Sequence, residues 1–327
     1  MSRRLVLATA VGLIGLLVAA SPVAANEPTP LDFIDWEPHP MPSTAPAVSQ
    51  APAPSSRVPV PAVRPTTTPR PTPSPTPTPT PTPSSAAEAI GYDISYPQCG
   101  RPYPESFAFA IVGVDGGRVF TANPCFTAGR RGPGQLEWAG PDAELYFNTG
   151  NPGPRSSRHW PAGQAEPREC DTGSNRGADT AECAFVYGWN AAEDSYRRAL
   201  AAYRELGWVD ADAEQLPTAT MIWLDVEVAN TWRLDWGRNV ATLEGAVAYL
   251  ESMGAERIGF YSTPRMWLRI VGLTDAFAEY PAWHAGARSR EDAERRCDEE
   301  RAFTGGELVM VQWVEDRLDH NVRCADL

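Results

Sequence analysis

The chain has 327 residues, a formal net charge of −13 and a pI near 4.8, so it is an acidic protein. An acidic protein repels phosphate backbones and anionic lipid surfaces, and we therefore expect neither a nucleic acid nor an anionic membrane as its partner. The length leaves room for one large domain and additional shorter segments.

The N-terminal part predicts an export signal followed by a linker. Residues 1–25 place Arg3 and Arg4 before an apolar run and end in small residues, as a secretory signal peptide does. The apolar run is short for a bilayer, so we expect cleavage and no stable membrane span afterwards. The arginine pair leaves both general and twin-arginine export open. Residues 26–86 are rich in Pro, Thr and Ser and predict a disordered, extended linker. We expect a secreted or cell-envelope protein.

All six cysteines lie in residues 87–327, which we interpret as the folded domain. An even number of cysteines in an exported chain predicts three disulfides, although sequence alone does not fix their pairing. Proximity along the chain favours Cys99–Cys125, Cys170–Cys183 and Cys297–Cys324. Zinc is the alternative, but the closely spaced Cys and His pairs of zinc sites are missing.

Strands and helices alternate along this domain, which favours parallel βα units. The expected strands cover 90–95, 107–114, 144–148, 221–227, 258–261, 282–285 and 308–313. Two amphipathic helices are expected, one with an apolar stripe from Ala192 to Leu206 and one with a stripe from Val240 to Leu250. The segment 151–182 predicts a long loop held by a disulfide. We therefore expect an α/β fold, a TIM-like (β/α) barrel with irregularities, preceded by a disordered stalk.

The fourth strand carries the main functional signal. Side chains alternate along a strand, so Trp223, Asp225 and Glu227 share one face, and the opposite face is wholly apolar. The apolar face belongs under helices, and the acidic face then lines a cleft, because buried unpaired carboxylates are costly. Adjacent carboxylates repel, so one retains its proton near neutral pH, as an acid that cleaves a glycosidic bond requires. The alternative is a solvated strand end with two ordinary charges.

Two further acids fall at comparable positions. Asp93 lies in the first strand, and Asp319 is expected to follow the last strand. The carboxyl ends of parallel strands meet at one mouth, so the acids of these strands would converge there. Convergence on an open groove would favour an enzyme, whereas a blocked groove would favour a binding protein. The cluster of Asp225, Glu227 and Asp319 could instead hold Ca²⁺, although we expect no metal or other cofactor.

These motifs resemble the lysozyme-type barrels of glycoside hydrolase family 25. The shared motifs, in order, are Gly-x-Asp-x-Ser at 91–95, Asp-x-Glu at 225–227, Tyr-Ser-Thr at 261–263, Gln-Trp at 312–313 and Asp-x-Asn at 319–321. The match is closer still to secreted, uncharacterised relatives with a glycoside-hydrolase-like domain. Those relatives share Tyr-Pro-Gln-Cys, Asn-Pro-Cys, Asn-Thr-x-Asn-Pro and Tyr-Gly-Trp-Asn-Ala-Ala, which stand here at 96–99, 123–125, 148–152 and 187–192.

The resemblance implies a glycosidase of the lysozyme or muramidase type that acts on peptidoglycan or another N-acetylated glycan of the cell wall. It makes Glu227 the general acid/base, with Asp225 supporting it and Asp93 and Asp319 positioning the sugar. The candidates for substrate binding are Trp223, Tyr261, Asn148 and Trp313.

The chain also departs from family 25. Its six cysteines, its 151–182 loop and the third-strand segment 146–148 differ from the lysozymes of that family. These departures favour the alternative function, a non-catalytic domain that binds glycan or structures the envelope.

Overall fold

The structure, a computed structural model, describes residues 90–129, 132–170 and 177–326. The predicted signal peptide at 1–25 and the predicted linker at 26–86 lie outside the described residues. Within the described part, eight strands form a closed barrel in which the strand order follows the sequence. The predicted fold class, a TIM-like α/β barrel, is confirmed.

The strands are β1 (Ile90–Ile94), β2 (Ala110–Gly113), β3 (Glu144–Asn148), β4 (Met221–Asp225), β5 (Arg257–Ser262), β6 (Ala282–Ala287), β7 (Leu308–Glu315) and β8 (Leu318–Arg323). The helices are α1 (Gln135–Ala139), α2 (Ala181–Glu205), α3 (Trp236–Ser252), α4 (Pro264–Ile270) and α5 (Arg290–Glu299), with 3₁₀ turns at Tyr96–Gln98 and Cys324–Asp326. None of the helices in the described residues is long and apolar enough to cross a bilayer.

The eighth strand makes the barrel irregular. Strands β1 to β7 run parallel to their neighbours in the sequence, whereas β8 is antiparallel to both β7 and β1. The link between β7 and β8 consists of Asp316 and Arg317, which have φ values of 50° and 65°. Positive φ at both residues of a two-residue loop is the geometry that matches the twist of a hairpin. Strand β8 was not predicted because Asp-Arg is a weak turn signal. Asp319 lies within β8, whereas it was expected to follow the last strand.

The main core lies between the barrel and its helices. Apolar residues on the outer face of the strands, such as Leu145, Phe147 and Leu224, pack against the buried sides of α2 and α3. The predicted stripe from Val240 to Leu250 falls inside α3, and the stripe from Ala192 to Leu206 runs along α2 to its C-cap residue, Leu206. The N-terminus of α2 is capped by Thr180 and that of α3 by Asp235, whose side chains accept backbone N–H groups in the first turn.

Helices α2 and α3 approach each other closely at two glycines. A Cβ at Gly188 would lie 1.8 Å from the carbonyl oxygen of Thr242, and a Cβ at Gly245 would lie 1.9 Å from that of Phe185. Any side chain at either position would force the helices apart. The two helices lie against the outer face of β3 and β4, the strands that carry Asn148 and Asp225.

The barrel interior is filled below its mouth by large side chains, listed as Ile111, Met221, Trp223, Trp283 and Met310. A Cβ at Gly259 would lie 2.4 Å from the Trp223 ring, so this glycine leaves room for the indole. Beneath it, the Glu144 carboxylate forms an ion pair with Arg323. The packed interior makes a solid floor on which the mouth is built.

Three disulfides staple the periphery of the barrel, and no cysteine is free. They join the pairs that proximity along the chain favours, Cys99–Cys125, Cys170–Cys183 and Cys297–Cys324. The Cα–Cα distances of 5.7, 4.7 and 5.2 Å lie in the usual range for disulfides.

Candidate active site

A cleft of ≈ 270 Å³ opens at the mouth of the barrel, where the parallel strands end. Six predicted site residues line it, namely Asp93, Asn148, Asp225, Glu227, Tyr261 and Asp319. Its walls also contain Ser95, Tyr96, Gln98, Tyr146, Asn230, Trp283 and Gln312. Among the described residues that line the cleft there is no lysine or arginine, and its four carboxyl groups lie close to one another.

Asp319 reaches this mouth because β8 is reversed. The start of an antiparallel strand lies at the same edge of the barrel as the ends of its parallel neighbours. Asp319 therefore stands directly beside Asp93 in the β1–β8 register. The four acids converge at the mouth as predicted, but Asp319 does so because β8 is antiparallel, which was not predicted.

Asp93 is the most firmly held of the four acids. It is buried, and its Oδ2 accepts hydrogen bonds from Gln312 Nε2 at 3.0 Å and from Asn321 Nδ2 at 2.7 Å. Gln312 Oε1 in turn accepts from the Tyr261 hydroxyl at 2.9 Å, and Asn321 Oδ1 accepts from Trp283 Nε1 at 2.9 Å. The carboxyl thus sits in a network whose donors have fixed orientations.

Asp225 is held from β3. The Asn148 side-chain amide donates to Asp225 Oδ2, and the backbone N–H of Thr149 donates to the carbonyl oxygen of Asp225 at 3.2 Å. The other carboxyl oxygen, Oδ1, is buried without a hydrogen-bond partner among the described residues, as is Asn148 Oδ1. Both oxygen atoms are buried in the wall of the cleft.

Glu227 differs from the other acids because its side chain is free. It lies two residues beyond the end of β4, where its carbonyl oxygen accepts from Trp232 Nε1 at 2.8 Å and from the Asn230 N–H at 3.1 Å. Its backbone is thereby anchored. Within the described part of the chain, no side chain donates to the Glu227 carboxyl group.

Burial raises the pKa of all four acids, and repulsion by neighbouring carboxylates raises the pKa of Asp93, Asp225 and Glu227 further. Burial is the largest cause for each acid. The second cause is the charge of Asp319 for both Asp93 and Glu227, and the charge of Glu227 for Asp225. Hydrogen bonds from Asn148, Asn321 and other amides oppose the rise in the pKa of Asp225 and Asp93. The cluster therefore holds more protons near neutral pH than separate carboxyl groups would, and those protons are shared among coupled sites.

Two residues predicted to bind substrate do not reach the cleft. Trp223 is 1% exposed inside the barrel, and its Nε1 donates to Glu144 Oε2 at 2.7 Å, below the mouth. It shares a face with Asp225, as predicted, but lies two residues deeper along the strand, about 7 Å from it. Trp313 points outward from β7 and is buried against Ala293 of α5. The structure therefore places neither tryptophan in the cleft wall.

Other residues of the site were not among the predicted substrate-binding residues. Trp283 lines the cleft with its ring centroid 4.3 Å from that of Tyr261, and their pairing in the β5–β6 register is the signal that could have revealed it. Tyr146 fits only because β2 has Gly113 beside it, where a Cβ would lie 2.4 Å from the phenol ring. Burial raises the pKa of the Tyr146 hydroxyl well above its ordinary value, so it stays protonated.

A fifth acid, Asp115, lies behind the cleft wall and is fully buried. Its Oδ2 accepts from the Asn148 backbone N–H at 2.9 Å, and Ser195 Oγ of α2 lies 3.0 and 2.9 Å from its two oxygens. Burial raises the pKa of Asp115 to about 8. Asp115 therefore fixes the backbone of the residue whose side chain holds Asp225.

Within the described ranges, no group of three or more His, Cys, Asp or Glu side chains is arranged to hold a metal ion.

Comparisons with known proteins find similar sequences in the part of the chain that carries this site. The family model of lysozyme-like protein 1 matches residues 210–305, the segment that contains Asp225 and Glu227. The probable GH family 25 lysozyme 4 of Dictyostelium discoideum is 33% identical over 96 residues, which are 29% of this chain and 42% of that protein. The probable GH family 25 lysozyme 5 of the same organism is 26% identical over 80 residues, 24% of this chain and 37% of that protein. The matched region thus spans less than half of either relative.

Solved structures include a muramidase from Trichobolus zukalii, with 17% identity, a TM-score of 0.43 and coverage of 72% of this chain and 93% of that one. A bacterial lysozyme from Streptomyces coelicolor has 13% identity and a TM-score of 0.41 over 73% of this chain and 93% of that one. The resemblance to the lysozymes of glycoside hydrolase family 25, which the sequence motifs predict, is confirmed by the family model and the two relatives from Dictyostelium.

Proposed function

We propose that this protein is an exported glycosidase of the lysozyme type, with Glu227 as its general acid/base, and that it hydrolyses peptidoglycan or a similar N-acetylated glycan. The folded domain, residues 87–327, would be the catalytic unit. It would be carried on the linker after removal of the signal peptide and would act outside the cell or in the envelope. The three disulfides support an oxidising location of this kind.

The observation that carries the proposal is the free carboxyl group of Glu227 in an open cleft beside three other acids. Glycoside cleavage needs an acid that is protonated near the working pH and is not tied up by protein donors. Burial, followed by the charge of Asp319, raises the pKa of Glu227 and meets the first need. The absence of a side-chain donor on its carboxyl group, within the described residues, meets the second.

The other acids take supporting parts in this mechanism. Asp225, oriented by Asn148, stabilises the positive charge that develops at the anomeric carbon as the leaving oxygen takes the proton of Glu227. The buried acceptors Asp225 Oδ1 and Asn148 Oδ1 suit an N–H donor such as the acetamido group of an N-acetylated sugar. Asp93 and Asp319 position the sugar from β1 and β8, and the partly buried Tyr261, backed by the buried Trp283, contributes to the wall that faces it.

The test compares wild type with Glu227→Gln, which keeps the shape of the side chain and removes its acid proton. We expect reducing-end release from purified peptidoglycan and chitin oligomers to fall about 10²- to 10⁴-fold, the usual loss when general acid catalysis is removed. Glycan pull-down should change little, because the amide still fits the cleft. Glu256→Gln is the matched control, since this exposed glutamate precedes β5 at the opposite end of the barrel.

Two other results would contradict the proposal in different ways. Turnover that persists in Glu227→Gln, with Glu256→Gln equally active, would remove Glu227 from the mechanism. A wild-type protein that pulls down glycan without hydrolysing it would make the barrel a binding module, the alternative that the departures from family 25 favour.

A further inference from the structure

The 3₁₀ turn at Tyr96–Gln98 brings a buried amide to the edge of the cleft. Gln98 is 6% exposed, and its Oε1 accepts the backbone N–H of Ser95 at 2.9 Å. Because only the oxygen of the amide can accept that hydrogen bond, the NH₂ end must face the cleft. There Nε2 donates to Asp319 Oδ2 at 3.3 Å. The orientation of the amide is thus fixed by the backbone and not by the acid that it contacts.

The residue after Gln98 ties this turn to the opposite loop. Cys99 is bridged to Cys125, which is fully buried and whose backbone N–H donates to Asn123 Oδ1 at 3.0 Å. The Asn123 amide donates to Gln135 Oε1 at 2.6 Å, and Gln135 Nε2 donates to the carbonyl oxygen of Ser95 at 2.6 Å. The disulfide therefore closes a ring of buried contacts that begins and ends at Ser95, the residue that follows β1.

We propose that Gln98 is a positioning residue for Asp319, and that the Cys99–Cys125 disulfide holds it in place, so that this bridge controls the competence of the site. The inference rests on the proposed function, since competence here means glycan hydrolysis with Glu227 as the acid. Under this proposal the Cys99–Cys125 disulfide has a role in the site, whereas the other two disulfides only stabilise the fold.

Electrostatics connect Gln98 to the acid. Burial raises the pKa of Asp319, whereas the nearby His320 and the hydrogen bond from Gln98 lower it. The charge of Asp319 is, after burial, the cause that raises the pKa of Glu227. An amide that stabilises ionised Asp319 therefore helps Glu227 to retain its proton. If Gln98 moves away, the pKa of Asp319 rises and the carboxyl group becomes protonated more readily. The pKa of Glu227 then falls, because the neighbouring negative charge is lost.

The sequence offers a closely matched pair of variants for the test. The Cys99–Cys125 bridge encloses a separation of 26 residues and the Cys297–Cys324 bridge one of 27, so removal of either relaxes the unfolded chain to a similar degree. The Cys297–Cys324 pair joins α5 to the end of β8 and contributes no residue to the cleft. Both pairs would be replaced by alanine in the mature protein.

We expect similar falls in melting temperature for the two double variants but different turnover. At a temperature where both are folded, the Cys99→Ala/Cys125→Ala variant should lose about tenfold or more in kcat, a loss typical of a misplaced catalytic group. The Cys297→Ala/Cys324→Ala variant should stay within about twofold of wild type. Equal turnover in the two double variants would overturn the role of the Cys99–Cys125 bridge.

Gln98→Met keeps nearly the same side-chain length and removes both hydrogen bonds of the amide, the one accepted from Ser95 and the one donated to Asp319. We expect its kcat to fall while KM changes little, with the alkaline limb of the kcat profile moved to lower pH as Glu227 ionises earlier. An unshifted profile would overturn the positioning role.

Carbon-13 NMR titration of the carboxyl groups in wild type and Gln98→Met gives a readout that does not need turnover. A raised pKa of Asp319 in the variant supports the positioning role even if wild type proves unable to cleave glycan, a result by which the proposed function alone would fail. An unchanged titration of Asp319 would refute the positioning role whether or not the protein is an enzyme.

Discussion

Replacing Asp115 by asparagine should stabilise this protein, although it removes a fully buried carboxyl group that makes several hydrogen bonds. Protonated Asp115 accepts from the Asn148 N–H and can donate to Ser195 Oγ, which lies 3.3 Å from the carbonyl oxygen of Ala191. An asparagine side chain reproduces this pattern, with its oxygen toward Asn148 and its NH₂ group toward Ser195. Asp115→Asn therefore mimics the neutral acid and removes only its ability to ionise.

The gain follows from the titration of this single group. Burial raises the pKa of Asp115 from 3.8 to about 8, so the unfolded chain releases this proton between pH 4 and pH 8 while the native protein keeps it. Its contribution to stability is complete below pH 4 and is lost as the pH rises, at about 1.4 kcal/mol per pH unit. At pH 7 the loss reaches about 4 kcal/mol, and we expect Asp115→Asn to recover about 2–4 kcal/mol of it. A barrel of this size would then melt about 5–15 °C higher.

The assay is thermal unfolding of wild type and Asp115→Asn at pH 4, 6 and 7.5. The difference in melting temperature should be near zero at pH 4 and should grow with pH. Asp142→Asn is the control, because it makes the same change of charge at an exposed position beside β3. If Asp115→Asn is less stable than wild type at every pH, Asp115 is ionised in the native protein and its charge strengthens the bonds to Asn148 and Ser195, contrary to our reasoning.

Three further predictions concern other parts of the barrel. Trp223→Ala should cost about 3–5 kcal/mol in urea unfolding, as expected for a buried tryptophan, and leave glycan pull-down unchanged. Gly113→Ala should cost about 1–3 kcal/mol because the new methyl group meets the phenol ring of Tyr146; it should also lower glycan hydrolysis as that ring is displaced, which reducing-end release would detect. Burial lowers the pKa of His284 despite its contact with Glu300, so the contribution of this histidine to stability falls as the pH drops below about 6.5, opposite in sign to the contribution of Asp115. The melting temperature of His284→Gln relative to that of wild type should therefore be higher at pH 5 than at pH 7.

The positions of the acids could be predicted because strand alternation is a local rule. Asp225 lies on the inner face of β4 and Ile222 and Leu224 on the outer face, as the two-residue period requires. Asp93 follows the same rule on β1. Side chains at the ends of neighbouring parallel strands must meet, so the convergence needed no knowledge of distances.

The errors arose where alternation is insufficient. It assigns Trp223 to the correct face, but it does not show how deep along the strand the mouth begins, and two residues of depth separate a cleft wall from the barrel floor. For Trp313 the error was one of face, since Gln312 points into the barrel and its neighbour therefore points out. A tryptophan on a strand is suited to either environment, so residue type alone could not decide.

The contacts that hold the acids were harder to foresee because they join residues that are distant along the chain. Gln98 is separated from Asp319 by 221 residues, and Asp115 from Ser195 by 80. Neither pair belongs to one strand or helix, so no periodicity links its members. These contacts depend on closure of the barrel, which brings β1 beside β8, and on the close packing of α2 against β3.

The reversed eighth strand is the feature on which the site most depends. A parallel eighth strand would carry Asp319, its second residue, to the floor of the barrel, far from Asp225 and Glu227. The two-residue hairpin after β7 turns the chain back at the mouth, so Asp319 is among the first residues to enter β8 and pairs with Asp93. Asn321, two residues deeper on the same face, then donates to Asp93 from below. One tight turn thus supplies the cleft with both an acid and the amide that orients its neighbour.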